Sequence, residues 1–257
     1  MKHFIHLFFI LAFLPIAQAE PAKAVITSDG GTVEYALPNS TDFKKLEFKG
    51  KLDLPEGSTI RTGKEGVAGI SPFPGAILTL APNSEINLSA ISGAFDADKN
   101  AKRQADIKLS EGTLRAVLNR KADGGSPIDF KIKTSYCVAA ARGTKYVVVN
   151  IGGKTYIKVK DGTVTGTGAN GNSVDLTNNS GVGVCGPDGK ITIVPLDQLP
   201  PEVQQALDAG ETIDNPGDHS YLNDGNFTPP AQGGGGGTQP PPSTPPPVRV
   251  YYPPTEG

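Results

Sequence analysis

The sequence predicts an all-β fold of short antiparallel strands, arranged as a sandwich, a barrel-like sheet or a short β-solenoid. Three observations carry this prediction. Short apolar runs alternate with polar residues or are rich in β-branched side chains. Gly, Asn, Asp and Pro punctuate them at close intervals from about Ala22 to Pro195, and helical periodicity is nearly absent over that stretch.

The chain opens on Lys2 and His3, followed by a largely apolar run from Phe4 to Ile16 and the small-x-small triplet Ala17-Gln18-Ala19. This pattern predicts a cleaved secretory signal over 1–19, with the mature chain starting at Glu20. The run is shorter than the roughly 20 residues a spanning helix needs, and no later segment approaches that length. Export to the periplasm or the extracellular space is therefore expected, with no transmembrane segment after cleavage.

Within the predicted β domain, 20–195, Ala76 to Leu80 is an apolar run of strand length. Pro82-Asn83-Ser84 reads as a turn, and Glu85-Ile86-Asn87-Leu88 alternates strictly. Tyr146-Val147-Val148-Val149 is continuous and β-branched, as suits a strand buried on both faces. From Thr155 to Lys160, Thr155, Ile157 and Val159 define an apolar face and Tyr156, Lys158 and Lys160 a polar one. Asp161-Gly162, Asn170-Gly171 and Pro187-Asp188-Gly189 then predict three hairpin turns, the first a tight type I′ turn.

One short amphipathic helix is expected over 196–210. Pro200-Pro201 can open it, because proline lacks only an N–H that would be unpaired there. Leu199, Val203, Ala206 and Leu207 share a face, and Gly210 is read as its left-handed cap. Beyond it, 211–257 carries Gly233 to Gly237 and the triplets Pro240 to Pro242 and Pro245 to Pro247. That composition predicts a disordered tail. Its one apolar cluster, Val248-Arg249-Val250-Tyr251-Tyr252, reads as a solvated terminus or as a strand added to a partner's sheet edge.

Composition narrows the function. The chain has 24 Lys and Arg against 26 Asp and Glu, and removal of Lys2 with the signal makes the balance more acidic. Nothing in that favours a nucleic-acid partner. His219 is the single histidine beyond the signal, and it lies in the tail. The β domain therefore lacks the commonest general acid–base residue and cannot build a multi-imidazole metal site. No cofactor motif is present. Cys137 and Cys185 are the only cysteines, and export predicts a disulfide between them rather than two buried free thiols.

Several phrases, taken in order, resemble the FecR domain. They are Gly57-Ser58-Thr59-Ile60-Arg61-Thr62-Gly63, Pro74-Gly75-Ala76-Ile77-Leu78 and Pro82-Asn83-Ser84-Glu85-Ile86. Next come Leu109-Ser110-Glu111-Gly112-Thr113-Leu114 and Phe130-Lys131-Ile132-Lys133-Thr134. The most specific is Ala141-Arg142-Gly143-Thr144-Lys145-Tyr146-Val147-Val148, followed by Lys160-Asp161-Gly162-Thr163-Val164. The resemblance spans roughly 22–195. For signalling members it implies a cytoplasmic sigma-regulating segment and a membrane helix before this domain. Here a cleavable signal precedes it, so the implied role is interaction in the envelope and not sigma regulation.

The candidate sites differ in their chemistry. Arg142-Gly143-Thr144 could bind a carboxylate or phosphate. The reading preferred is an internal arginine that ties down carbonyls or a carboxylate beside the buried strand. Asp96-Ala97-Asp98-Lys99-Asn100 opens like a calcium loop but has Ala101 and Ile107 where Gly and Glu are wanted, so it reads as a polar loop. Sequons at Asn39, Asn87, Asn178 and Asn226 are short and common patterns. No nucleophile–base pair stands out. The expectation is a non-enzymatic binding or scaffolding module that engages an envelope protein or polymer. The alternatives are a surface or matrix component with the tail as spacer, a periplasmic sensor part, and a carboxylate-based hydrolase of envelope polysaccharide.

Overall fold

The computed structural model describes residues 22–92, 103–119 and 128–213. The expected signal, the loop at Asp96 to Asn100, the sequon at Asn226 and the expected tail beyond residue 213 lie outside the described residues.

Among the described residues seventeen strands follow one another: β1 (Lys23–Gly30), β2 (Val33–Ala36), β3 (Lys44–Leu46), β4 (Lys51–Pro55), β5 (Thr59–Thr62), β6 (Val67–Ser71), β7 (Ala76–Leu80) and β8 (Glu85–Ser92). Then come β9 (Arg103–Leu118), β10 (Ile128–Lys133), β11 (Cys137–Ala141), β12 (Lys145–Ile151), β13 (Lys154–Asp161), β14 (Thr163–Gly168), β15 (Ser173–Thr177), β16 (Val182–Cys185) and β17 (Ile191–Val194). A single-turn 3-10 segment, Leu196–Gln198, leads to helix α1 (Pro201–Thr212).

The strands form two layers. The first runs β4-β1-β6-β7-β9-β12-β13-β16-β17. The second runs β3-β2-β5-β8-β9-β10-β11-β14-β15. Strand β9 belongs to both, and its 16 residues turn from the second layer into the first at Gly112. The sheet does not close into a barrel, so the architecture is the sandwich among the expected forms. Two features depart from a set of short antiparallel strands. Strand β9 is long, and it pairs with β10 in parallel.

One core fills the space between the layers. Ile26, Leu78, Tyr146 and Ile157 of the first layer meet Ile60, Ile86, Ile107, Phe130 and Val164 of the second. Strand β12 shows why its run is continuous. Tyr146 and Val148 face this core, whereas Val147 and Val149 face a second cluster with Tyr156, Val182, Leu199, Val203 and Leu207. Helix α1 covers that outer side of the first layer, so β12 is buried on both faces as its sequence predicts.

Three expectations need correction. Strands β13 and β14 lie in different layers, so Asp161-Gly162 is a corner between sheets and not a hairpin turn. A φ > 0 position serves either purpose, and here the polar face of β13 is already committed to α1. Asn170-Gly171 and Pro187-Asp188-Gly189 do sit in hairpins, β14–β15 and β16–β17. Helix α1 starts at Pro201, at the proline pair and not at 196, and it runs on to Thr212, which places the first two residues of the expected tail in the helix. Gly210 is not its cap. It is buried, and a Cβ there would lie 2.6 Å from Val147 Cγ1 and 2.9 Å from Thr113 Cγ2. Glycine lets the helix backbone approach β9 and β12 closely.

Candidate interaction face

The two outer faces of the sandwich differ. Helix α1 is fastened over the first layer by Lys158 to Asp208 at 3.2 Å and to Glu211 at 3.4 Å, and by Lys160 to Glu211 at 3.7 Å. The Arg115 guanidinium also donates to the Ile213 carbonyl at 2.7 Å. Burial, and then the nearby Glu202 carboxylate, push the Tyr156 hydroxyl above the ordinary phenol range, so it stays neutral. Among the described residues, no helix covers the outer face of the second layer.

Register places that face in rows. Asn87, Lys108, Lys133, Val138, Thr167 and Ser173 lie side by side across β8, β9, β10, β11, β14 and β15. A second row holds Ala90, Asp106, Lys131, Ala140, Thr165 and Asp175. Alternation along each strand sends their neighbours Ile107, Ile132, Ala139, Gly166 and Val174 inward, so one pattern builds both core and surface.

Bonds across and along the strands hold these side chains. Lys133 pairs with Asp106, and Lys131 Nζ lies 3.1 Å from Asp129 Oδ1. The Thr165 hydroxyl donates to Asp175 at 2.7 Å, and Thr167 shares a hydrogen bond with Ser173 at 2.9 Å. Such a surface loses little rotamer freedom when a partner settles on it. Strands spaced about 4.8 Å apart make nine strands roughly 40 Å wide. At a height of roughly 15 Å the face offers on the order of 600 Å², near the roughly 800 Å² per partner of a standard interface.

The phrases singled out in the sequence converge at corners between the layers. At one corner, the Thr62 hydroxyl donates to the Ala81 carbonyl at 2.6 Å and accepts from the Ser84 N–H at 3.0 Å. The Ser84 hydroxyl in turn accepts the Thr113 N–H at 2.9 Å. Gly112, at φ +91°, passes directly over Ser84 with no room for a side chain. Sequence reasoning missed Thr62 and Ser84 as partners, because nothing local marks contacts so far apart in the chain.

The second corner holds Arg142-Gly143-Thr144. Gly143 takes φ +64°, Thr144 is buried, and its carbonyl accepts the Leu118 N–H at 2.9 Å. Arg142 is exposed and so is not internal as read, although it does engage another group. The chain changes layer here, and the side chain of Arg142 remains at the surface while Thr144 turns in.

Cys137 on β11 and Cys185 on β16 are both buried and are joined in a disulfide with Cα atoms 6.0 Å apart. The bridge ties one layer to the other through the core. None of the described helices is long and apolar enough to cross a membrane.

Architecture and corners together define a two-layer β module in which the recurrent phrases are devices for changing layer. The family model described as FecR protein matches residues 58–165, a stretch that contains both corners. Solved structures similar to it include two of a candidate anti-sigma factor from Parabacteroides distasonis ATCC 8503. Each is 16% identical with a TM-score of 0.38, over 52% of this chain and 57% of that one. The chain thus spans little more than half of the length of those structures. No curated protein matches the sequence.

Proposed function

We propose that this is an exported FecR-domain protein that acts without catalysis, by binding another protein of the cell envelope through the outer face of its second layer. The observation that carries the reading is the asymmetry of the sandwich, with one face fastened under α1 and the other broad, free of any described helix and held in place by its own side-chain bonds. Two further points support it. The disulfide suits an oxidising compartment, and residues 22–213 contain no histidine, so a general acid–base would have to come from scattered carboxylates. The FecR match favours a sensor role among the alternatives, with the membrane passage supplied by the partner.

A photo-crosslinking residue at Thr165, compared with one at Asp208 on α1, tests this in intact cells. A discrete protein adduct is expected from Thr165 alone, and Ala140→Arg should abolish it while leaving the melting temperature unchanged. Equal adducts from both sites, or none, would overturn the proposal. Attachment to heterogeneous polymer would instead favour a structural matrix role.

A further inference from the structure

Where the β2–β3 and β4–β5 turns meet β8, an open cleft of about 700 Å³ lies among Ala22, Pro38, Asn39, Glu56, Asn87 and Ser89. Its walls are braced. Gly57 takes φ +85°, and a Cβ there would stand 3.1 Å from the Pro38 Cβ, so the two turns abut. Asn39 is held at φ +59° in a turn closed by the Ser40 N–H on the Leu37 carbonyl at 3.0 Å.

On the β8 side of the cleft and at Glu56 the hydrogen-bond inventory is one-sided. The Asn87 amide nitrogen donates to the Gly57 and Ser58 carbonyls at 2.9 and 3.2 Å and to the Thr59 hydroxyl at 3.1 Å. The Ser89 hydroxyl donates to Asn87 Oδ1 at 3.1 Å. Glu56 accepts the Ile91 N–H at 3.0 Å, which uses one of about four lone-pair sites on an ionised carboxylate. Asn87, Ser89 and Glu56 therefore have spent their donors or never had any, and what they retain is acceptor capacity. Glu56 is the single charged residue in the lining, beside the apolar edge of Pro38 and Ala22.

From this we infer that the cleft binds a protonated primary amine carried on an apolar or ring-shaped stem. An ammonium group brings three donors and no acceptor, which suits the acceptors left on Asn87, Ser89 and Glu56 and offsets the Glu56 charge. Phosphate or carboxylate would meet Glu56 with no cation in the lining to offset it, and a neutral polyol would leave that charge uncompensated. Two sources share the chemistry, a lysine side chain and an amino sugar. The cleft borders the face proposed above, with Asn87 common to both, but the inference does not rest on that reading.

The test is a ¹H–¹⁵N NMR titration of the full chain with Nα-acetyl-lysinamide, with glucosamine, and with N-acetylglucosamine as the uncharged control. At least one amine should give saturable shifts of the Gly57, Ser58, Asn87, Ser89 and Ile91 amides, and the tighter one identifies the source. Glu56→Gln keeps an acceptor for the Ile91 N–H and should weaken binding about tenfold, as befits loss of a charge-assisted bond. Should that variant fail to fold, Ser89→Ala at an exposed position should still weaken it several-fold. No saturation by either amine, an equal response to the neutral sugar, or unaltered binding in the variant that folds overturns the proposal.

Discussion

Gly162 crosses Thr144 so closely that a Cβ on the glycine would lie 2.6 Å from the threonine Cγ2. The glycine also takes φ +86°. Two penalties therefore fall on Gly162→Ala, about 1–2 kcal/mol for a left-handed non-glycine residue and about 1–3 kcal/mol for overpacking. Equilibrium denaturation should show a loss of about 2–5 kcal/mol. A loss below about 0.5 kcal/mol would mean that the corner relaxes freely and that the phrase is not a steric device.

The disulfide joins layers whose cysteines lie 48 residues apart. Closing such a loop restricts the unfolded chain by about 4 kcal/mol on the chain-entropy model. The double substitution Cys137→Ala with Cys185→Ala should lower stability by about that amount in guanidinium unfolding. Denatured wild-type protein should take up a thiol reagent only after reduction. Full labelling without reductant would remove the bridge from the protein as isolated.

Where α1 ends can be checked by truncation. A chain stopped after Gly210 loses the Glu211 ion pairs and the bond from Arg115 to the Ile213 carbonyl. A chain stopped after Ile213 keeps them. The longer form should melt at the higher temperature. Leu207→Ala, which hollows the cluster under the helix, should cost about 2–5 kcal/mol. Glu211→Gln should cost no more than about 1 kcal/mol, because Lys158 and Lys160 remain partly hydrated. Equal melting of the two truncations would place the functional end of the helix at Gly210.

These cases show which parts of the molecule the sequence makes legible. Tyr146 to Val149 could be read because burial on both faces leaves an unbroken apolar run, and Glu85 to Leu88 because burial on one face leaves alternation. Asp161-Gly162 could not be read correctly. The dipeptide reports a positive φ but not whether the next strand pairs with the last or leaves for the other layer. Gly210 was ambiguous in the same way, since glycine marks both a helix end and a close helix–sheet contact. Arg142 misled because its partner layer is fixed by pairings of β11 with β10 and β14 that no local pattern states. The corner at Thr62 and Ser84 and the cleft at Glu56 and Asn87 are assembled from residues 22 and 31 positions apart, and such joins appear only in the fold.

Asp29 provides a pH-dependent prediction. It bulges out of β1 between Ser28 and Gly30, where the pairing with β6 shifts register. Burial pushes its carboxyl up from 3.8 to about 6, against the opposing effect of hydrogen bonds from Thr27 and the Gly69 backbone. The folded state therefore favours the neutral acid. The resulting stabilisation is fully present below about pH 3.8, declines as the pH rises and is lost above about 6. Asp29→Asn keeps a neutral side chain at every pH and has no such loss. The stability of the variant relative to wild type should rise between pH 4 and pH 7 by about 1 kcal/mol, discounted for partial solvent access. Denaturant unfolding of both proteins at matched ionic strength measures this difference, and other titrating groups cancel in it. A difference that is flat with pH, or that falls, would show that Asp29 is hydrated in solution and that the bulge does not bury its carboxyl.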